Sequence, residues 1–199
     1  DVPDVKNNGV LEVQMAVSRD GVEWSRIRKP YVPTGPVGEV DSASIYFYTG
    51  MLIKETEILQ YYWGSSYTHG GLDTYAKWEG INKNAICLLS QRIDGFMSLD
   101  AAYTGGMLLT KPFVFDGDRL ILNLNTSGTG TARAALLDEH GQEIPGYALE
   151  DCDRIKGNFI NKTVSWQGES SVAALSGKAV RLKLVMNNTK LFSLRFERG

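Results

Sequence analysis

The residues best suited to chemistry in this chain are the aromatic run Tyr61-Tyr62-Trp63 and the nearby Thr68-His69-Gly70. Tyrosine and tryptophan combine an apolar face with a polar tip, which suits them to stack on a pyranose or furanose ring. On a strand, alternation places Tyr61 and Trp63 on one face and Tyr62 on the other, so one set can line a pocket while the other packs in a core. His69, in a glycine-flanked loop, either donates to a hydroxyl or glycosidic oxygen or stands as a solvated loop histidine. Asp41, followed by small Ser42 and Ala43, either binds hydroxyls from an inward-facing position or accepts from backbone N–H groups in a turn. Arg92 and Asp94 are spaced for a structural ion pair or turn contact, with a ligand contact as the alternative. Glu150, Asp151 and Asp153 could hold calcium or form a plain polar turn, and the regular Asp-x-Asp-x-Asp-Gly loop is missing. Two histidines, His69 and His140, exclude a multi-histidine metal centre. No metal and no cofactor are assigned.

The elements that would position these side chains are strands. Period-two alternation and turn signals recur from end to end, and helical periodicity does not persist beyond a turn or two. In the first half, strands are predicted over Leu11–Ser18, Val22–Ile27, Ser44–Tyr48 and Glu57–Trp63, the first two joined at Asp20-Gly21 as a hairpin. The prolines of Pro30-Tyr31-Val32-Pro33-Thr34-Gly35-Pro36 rule out a central strand and indicate an extended connection. Residues 65–79 read as a long loop of the kind that often carries function. Beyond residue 84 the alternations become shorter and cleaner, with strands predicted over Ala85–Ser90, Gly95–Asp100, Met107–Thr110, Arg119–Asn125, Thr131–Leu137, Thr163–Trp166, Val180–Met186 and Leu191–Glu197. Val180, Leu182 and Leu184 share a face, as do Phe192, Leu194 and Phe196, with Arg181, Lys183 and Arg195 opposite. That is the pattern of antiparallel sheets packed face to face. Turns are expected at Asp116-Gly117-Asp118, Asp138–Gly141 and Asn187-Asn188-Thr189.

Composition narrows the function classes. The chain has 199 residues, 43% of them apolar, enough for a packed core. Its 21 basic and 23 acidic residues are nearly balanced, and the basic ones are scattered singly, which argues against a nucleic-acid partner or a membrane surface. No stretch is apolar enough for a spanning helix. The two cysteines, Cys87 and Cys152, permit one bridge or none and read better as two small buried hydrophobes.

Ser18-Arg19-Asp20-Gly21-Val22-Glu23-Trp24, Glu39-Val40-Asp41-Ser42-Ala43 and Gln60-Tyr61-Tyr62-Trp63-Gly64 through Thr68-His69-Gly70 resemble the closing blades of five-bladed propeller glycosidases of the invertase, levansucrase and arabinanase type. Arg92-Ile93-Asp94-Gly95-Phe96-Met97-Ser98-Leu99-Asp100, Leu109-Thr110-Lys111-Pro112, Ile144-Pro145-Gly146 and Leu149-Glu150-Asp151-Cys152-Asp153 are similar to the C-terminal β-sandwich of invertase-like bacterial proteins. The resemblance implies an all-β chain in which a partial β-propeller blade region over 1–83 precedes an antiparallel, jelly-roll-like β-sandwich over 84–199. It implies the C-terminal portion of a glycoside hydrolase, or alternatively a non-catalytic carbohydrate-binding or interaction module. The family's paired carboxylates sit in Asn-Asp-Pro, Arg-Asp-Pro and glutamate-cysteine motifs that have no counterpart here, so no catalytic residue is assigned. The ligand-binding candidates are Asp41, Tyr61, Trp63, His69, Arg92 and Asp94. A glycan ligand is expected, together with an upstream propeller domain or self-association through residues 10–65, because an unpaired blade leaves sheet edges and apolar faces open. The chain opens on Asp1 without a signal segment, so removal of a leader or of upstream domains, and a secreted or periplasmic location, are expectations.

Overall fold

The computed structural model describes residues 9–70 and 84–199 and is all-β, with antiparallel sheets that do not close into a barrel. Among the described residues the one helical element is a single 3-10 turn, Ala173–Leu175. The chain divides into two compact units, residues 1–93 and 94–199.

In the first unit, β1 (Val13–Val17) and β2 (Ser25–Val32) form an antiparallel ribbon. Val22 and Trp24, expected in the second strand, lie instead in the connection. There Asp20 Oδ1 accepts from the N–H groups of Val22 and Glu23, both at 2.9 Å, and so withdraws them from the ladder. The strand continues through Pro30 to Val32, where an extended connection was expected. Proline is tolerated because β2 pairs only with β1 and Pro30 stands opposite Gln14 between two register shifts.

The main sheet of this unit is built on β5 (Glu57–Ser65). On one side, β6 (Asn84–Arg92) pairs with it from Glu57↔Arg92 to Ser65↔Asn84; on the other lie β3 (Ser44–Phe47) and the unforeseen β4 (Leu52–Ile53). Ala85–Ser90 therefore belongs to the first unit, and the division falls after Ile93 rather than near residue 84. One face of the sheet is covered: Tyr31 of β2 lies against Phe47, ring centroids 6.2 Å apart, and its hydroxyl donates to Gln60 Oε1 at 2.9 Å. The opposite face is open, with Tyr61 48%, Leu88 51% and Ile86 68% exposed.

In the second unit, β7 (Leu99–Ala101), β10 (Arg119–Asn125), β12 (Asn158–Thr163) and β14 (Thr189–Glu197) form a sheet in the order β12-β10-β14-β7. A second sheet orders β11 (Thr131–Leu137), β13 (Ala179–Asn187) and β8 (Gly106–Leu109), with β9 (Phe113–Val114) also on β13. From β10 onward each strand lies in the opposite sheet from its predecessor. One core joins the sheets: Leu120, Leu122 and Leu124 face Ala134, Leu136, Leu182 and Leu184. Each fully buried leucine contributes about 1.5–3 kcal/mol. Glycine or asparagine turns fall at Gly117, Gly141 and Asn188, all with positive φ.

Three expected strands changed. Gly95–Asp100 is reduced to the short β7, with Gly95 and Phe96 in a turn. Thr163–Trp166 is replaced by β12, which ends at Thr163; Val164 N still donates to Leu120 O at 2.9 Å, and Trp166 turns away to bridge with Cys152. The Trp166 indole is drawn into the core, where Nε1 donates to Ala134 O at 2.9 Å. On β14, a register shift aligns Asn123 with Ser193 but Leu124 with Leu191, so Phe192 is bulged out of the expected series. Leu191, Leu194 and Phe196, rather than Phe192, pack with the core.

Candidate functional site

Alternation on β5 places Leu59, Tyr61, Trp63 and Ser65 on the open face and Ile58, Gln60, Tyr62 and Gly64 on the covered one. Cross-strand pairing then puts Tyr46 beside Trp63, ring centroids 5.2 Å apart at 39°, and Ser44 beside Ser65. Past β5 the chain is tied down by short bonds. Ser44 Oγ donates to Tyr67 O at 2.7 Å, Tyr67 N to Ser65 Oγ at 3.1 Å, and His69 N to Gly9 O at 3.0 Å. A cleft of about 380 Å³ results, bordered by Ser44, Tyr46, Trp63, Ser65, Tyr67, Thr68, His69, Gly70 and Asn84. The remainder of the expected loop, residues 71–79, lies outside the described residues.

Trp63 and His69 thus meet in one site. Tyr61 shares their face but lies beyond the cleft. Asp41 is on the covered side, where its Oδ2 accepts from Tyr62 Oη at 2.8 Å. A Cβ added at Gly64 would stand 2.8 Å from Asp41 Cβ, so the aspartate fits here because both Gly64 and Gly35 lack side chains. Burial, reinforced by the Asp41 carboxylate and then by Cys87, pushes the Tyr62 phenol well above the ordinary tyrosine range. Arg92 ends β6 opposite Glu57, and burial lowers the pKa of its guanidinium. Asp94 belongs to the second unit, where it takes φ of 59° and accepts from Ser193 Oγ at 2.6 Å.

The other polar candidates act as local acceptors. Asp153 Oδ2 accepts from Ser165 Oγ at 2.6 Å and Gly168 N at 2.9 Å, which holds its carboxyl below the usual range. Asp151 accepts from Gln167. No cluster of three potential metal ligands occurs among the described residues. His140 sits in an exposed turn, and both cysteines are free thiols, Cys152 buried and Cys87 half-buried.

Sequence reasoning missed Tyr46, Ser44, Ser65, Tyr67 and Asn84 as partners of Trp63. The available signal was the Ser44-x-Tyr46 alternation opposite Trp63-x-Ser65, which becomes legible once the register of the two strands is known. Chemically, the cleft offers a tilted aromatic pair, hydroxyls, a carboxamide and an imidazole. Among the described residues its border is made by serine, threonine, tyrosine, tryptophan, histidine, glycine and asparagine. Fold and site together define an all-β protein with a sandwich and an aromatic, hydroxyl-lined cleft. No protein-family model, curated protein or solved structure matches the chain.

Proposed function

We propose that this chain is the C-terminal portion of a glycoside hydrolase of the propeller-and-sandwich type, acting on oligo- or polysaccharides in a secreted or periplasmic setting. Its first unit is read as blade-like and contacts the sugar, and its second is an accessory jelly-roll-like scaffold. The observation that carries the proposal is the pairing of Trp63 and Tyr46 beside His69 in a cleft rich in hydroxyls. A ring with one apolar face and a hydroxyl rim fits such a surface, since aromatic faces take its C–H face while side-chain hydroxyls and the imidazole take its oxygens. The hydrolytic carboxyl groups are assigned to motifs outside this sequence. The exposed Tyr61, Ile86 and Leu88 support a further partner for the open face, either an upstream propeller domain or a second copy engaging residues 10–65.

A non-catalytic carbohydrate-binding or interaction module is the second reading, favoured by the aromatic pair Tyr46 and Trp63, which serves binding without any reacting group. Calorimetric titration of the 199-residue chain with fructan, arabinan and other oligosaccharides tests the ground common to both. Binding that disappears in Trp63→Ala supports a sugar-contacting cleft. Silence across the panel, or binding indifferent to that substitution, rejects it.

A further inference from the structure

A sheet edge left open is a template for another strand, and folded proteins guard it with short strands, charges, proline, bulges or a covering loop. Every described edge of this chain but one is guarded in such a way. The β1–β2 ribbon has two register shifts, and β2 carries Arg26, Arg28, Lys29 and Pro30. β3 is four residues long and takes Leu11 along its outer side, where Ile45 N donates to Leu11 O at 3.0 Å. β4 has two residues, β7 three, β8 four and β9 two. β11 is covered by the chain that follows it: Leu136 N donates to Tyr147 O and Ala132 N to Ile155 O, both at 3.0 Å. β12 shifts register against β10 and carries Lys162.

β6 is the exception. It runs nine residues, Asn84–Arg92, and pairs with β5 at every position without a register shift. From Asn84 to Gln91 it has no charge, proline or glycine, and no described residue pairs with its other side. On the open face beside that edge, Ile86 is 68% and Leu88 51% exposed. Alternation decides which strand fits there. A second copy of β6, run antiparallel and centred on Leu88, sets Asn84 against Arg92, Ala85 against Gln91, Ile86 against Ser90, Cys87 against Leu89 and Leu88 against itself. Directly opposed residues share a face, and each of these pairs joins open face to open face or covered face to covered face. Like charges do not meet, because Arg92 falls opposite Asn84. The open-face row of Tyr61 and Leu88 then continues into the same residues of the second copy, and the two leucines cover each other's exposed side.

We infer that β6 is a dimer edge: two copies of this chain join by antiparallel pairing of β6 with β6 about a two-fold axis at Leu88. Backbone hydrogen bonds carry the contact, and Leu88 fixes its register. A single strand pair buries less than a standard interface, so the dimer is reversible and concentration-dependent. The inference needs no sugar at the Trp63 cleft, and it sets the contact on residues 84–92 rather than 10–65.

The test is sedimentation velocity over a dilution series of the full chain, with hydrogen–deuterium exchange read at the same concentrations. The expected result is a monomer–dimer equilibrium in which the amides of residues 84–92 gain protection as the dimer forms. Leu88→Lys, which sets two ammonium groups against each other at the axis, should weaken dimerisation at least about tenfold while leaving the monomer's exchange elsewhere unchanged. Tyr61→Lys lies on the same face one strand further from the axis, where the two new charges are screened, and should change dimerisation by less than about threefold. A monomer at every concentration would overturn the inference, as would a dimer whose 84–92 amides stay unprotected or one equally tight in Leu88→Lys. Loss of the dimer in Tyr61→Lys, whatever Leu88→Lys does, would put the contact on the open face and overturn it too.

Discussion

The two units solve the same packing problem to different degrees. In the sandwich, two sheets face each other and their inner side chains share one core, with Leu122, Leu182 and Leu184 fully buried. In the first unit, a single sheet centred on β5 is covered on one side by Tyr31 and Asp41, and on the other it presents aromatic and aliphatic residues to solvent. A covered face fixes its residues by volume, whereas an open one leaves them available for a ligand or a partner. The Trp63 cleft is on that open side.

Stability should divide accordingly. Leu184→Ala removes a side chain from the centre of the sandwich and is expected to cost about 3 kcal/mol in denaturant unfolding. Leu88→Ala on the open face is expected to change stability by less than about 0.5 kcal/mol; comparable losses at both positions would erase the contrast. On the covered side of the first unit, Gly64→Ala forces a methyl to within 2.8 Å of Asp41 Cβ. A loss of about 2 kcal/mol is expected from overpacking, read as a lowered melting temperature, while Gly128→Ala, with open space around it, should be near neutral. Trp63→Ala removes a half-buried ring packed on Tyr46, so it should lower the melt by less than Leu184→Ala does, and weaken saccharide binding about tenfold.

The smallest effects separate the units by pH. The raised Tyr62 phenol contributes stability that is complete below the unfolded tyrosine pKa, about 10, and is lost as pH rises toward the higher folded value. Tyr62→Phe should therefore flatten the alkaline limb of a stability–pH curve. In the sandwich, the N–H of Leu149 and then Lys183 hold the Glu143 carboxyl below its usual range. Its contribution is present above the unfolded value and is lost as pH falls through the folded one, so Glu143→Gln should flatten the acid limb, by less than about 1 kcal/mol because the pair is near the surface.

What the sequence revealed follows the same division. β10 and β11 were legible to the residue because each alternates between core and exterior or is apolar throughout, and turn residues bound them. β12 was not, since Trp166 follows its indole bond to Ala134 rather than the period of a strand. Val22 and Trp24 mimic a strand but are held in a turn by the Asp20 carboxylate, and Phe192 is displaced by a bulge that no alternation encodes. At the site, Trp63 and His69 were visible as residue types with suitable chemistry. Tyr46 and Ser44 were not, because what brings them there is the register between β3 and β5. Asp41 had the right chemistry for a ligand, but the gaps left by Gly35 and Gly64 draw it into packing.

The most direct measurement pairs equilibrium titration with product analysis on the same mixtures of chain and oligosaccharide, for wild type and Trp63→Ala. The account predicts a saccharide that is bound but left intact by the wild type and is not bound by the variant. Released sugar, or equal binding by both proteins, would contradict it.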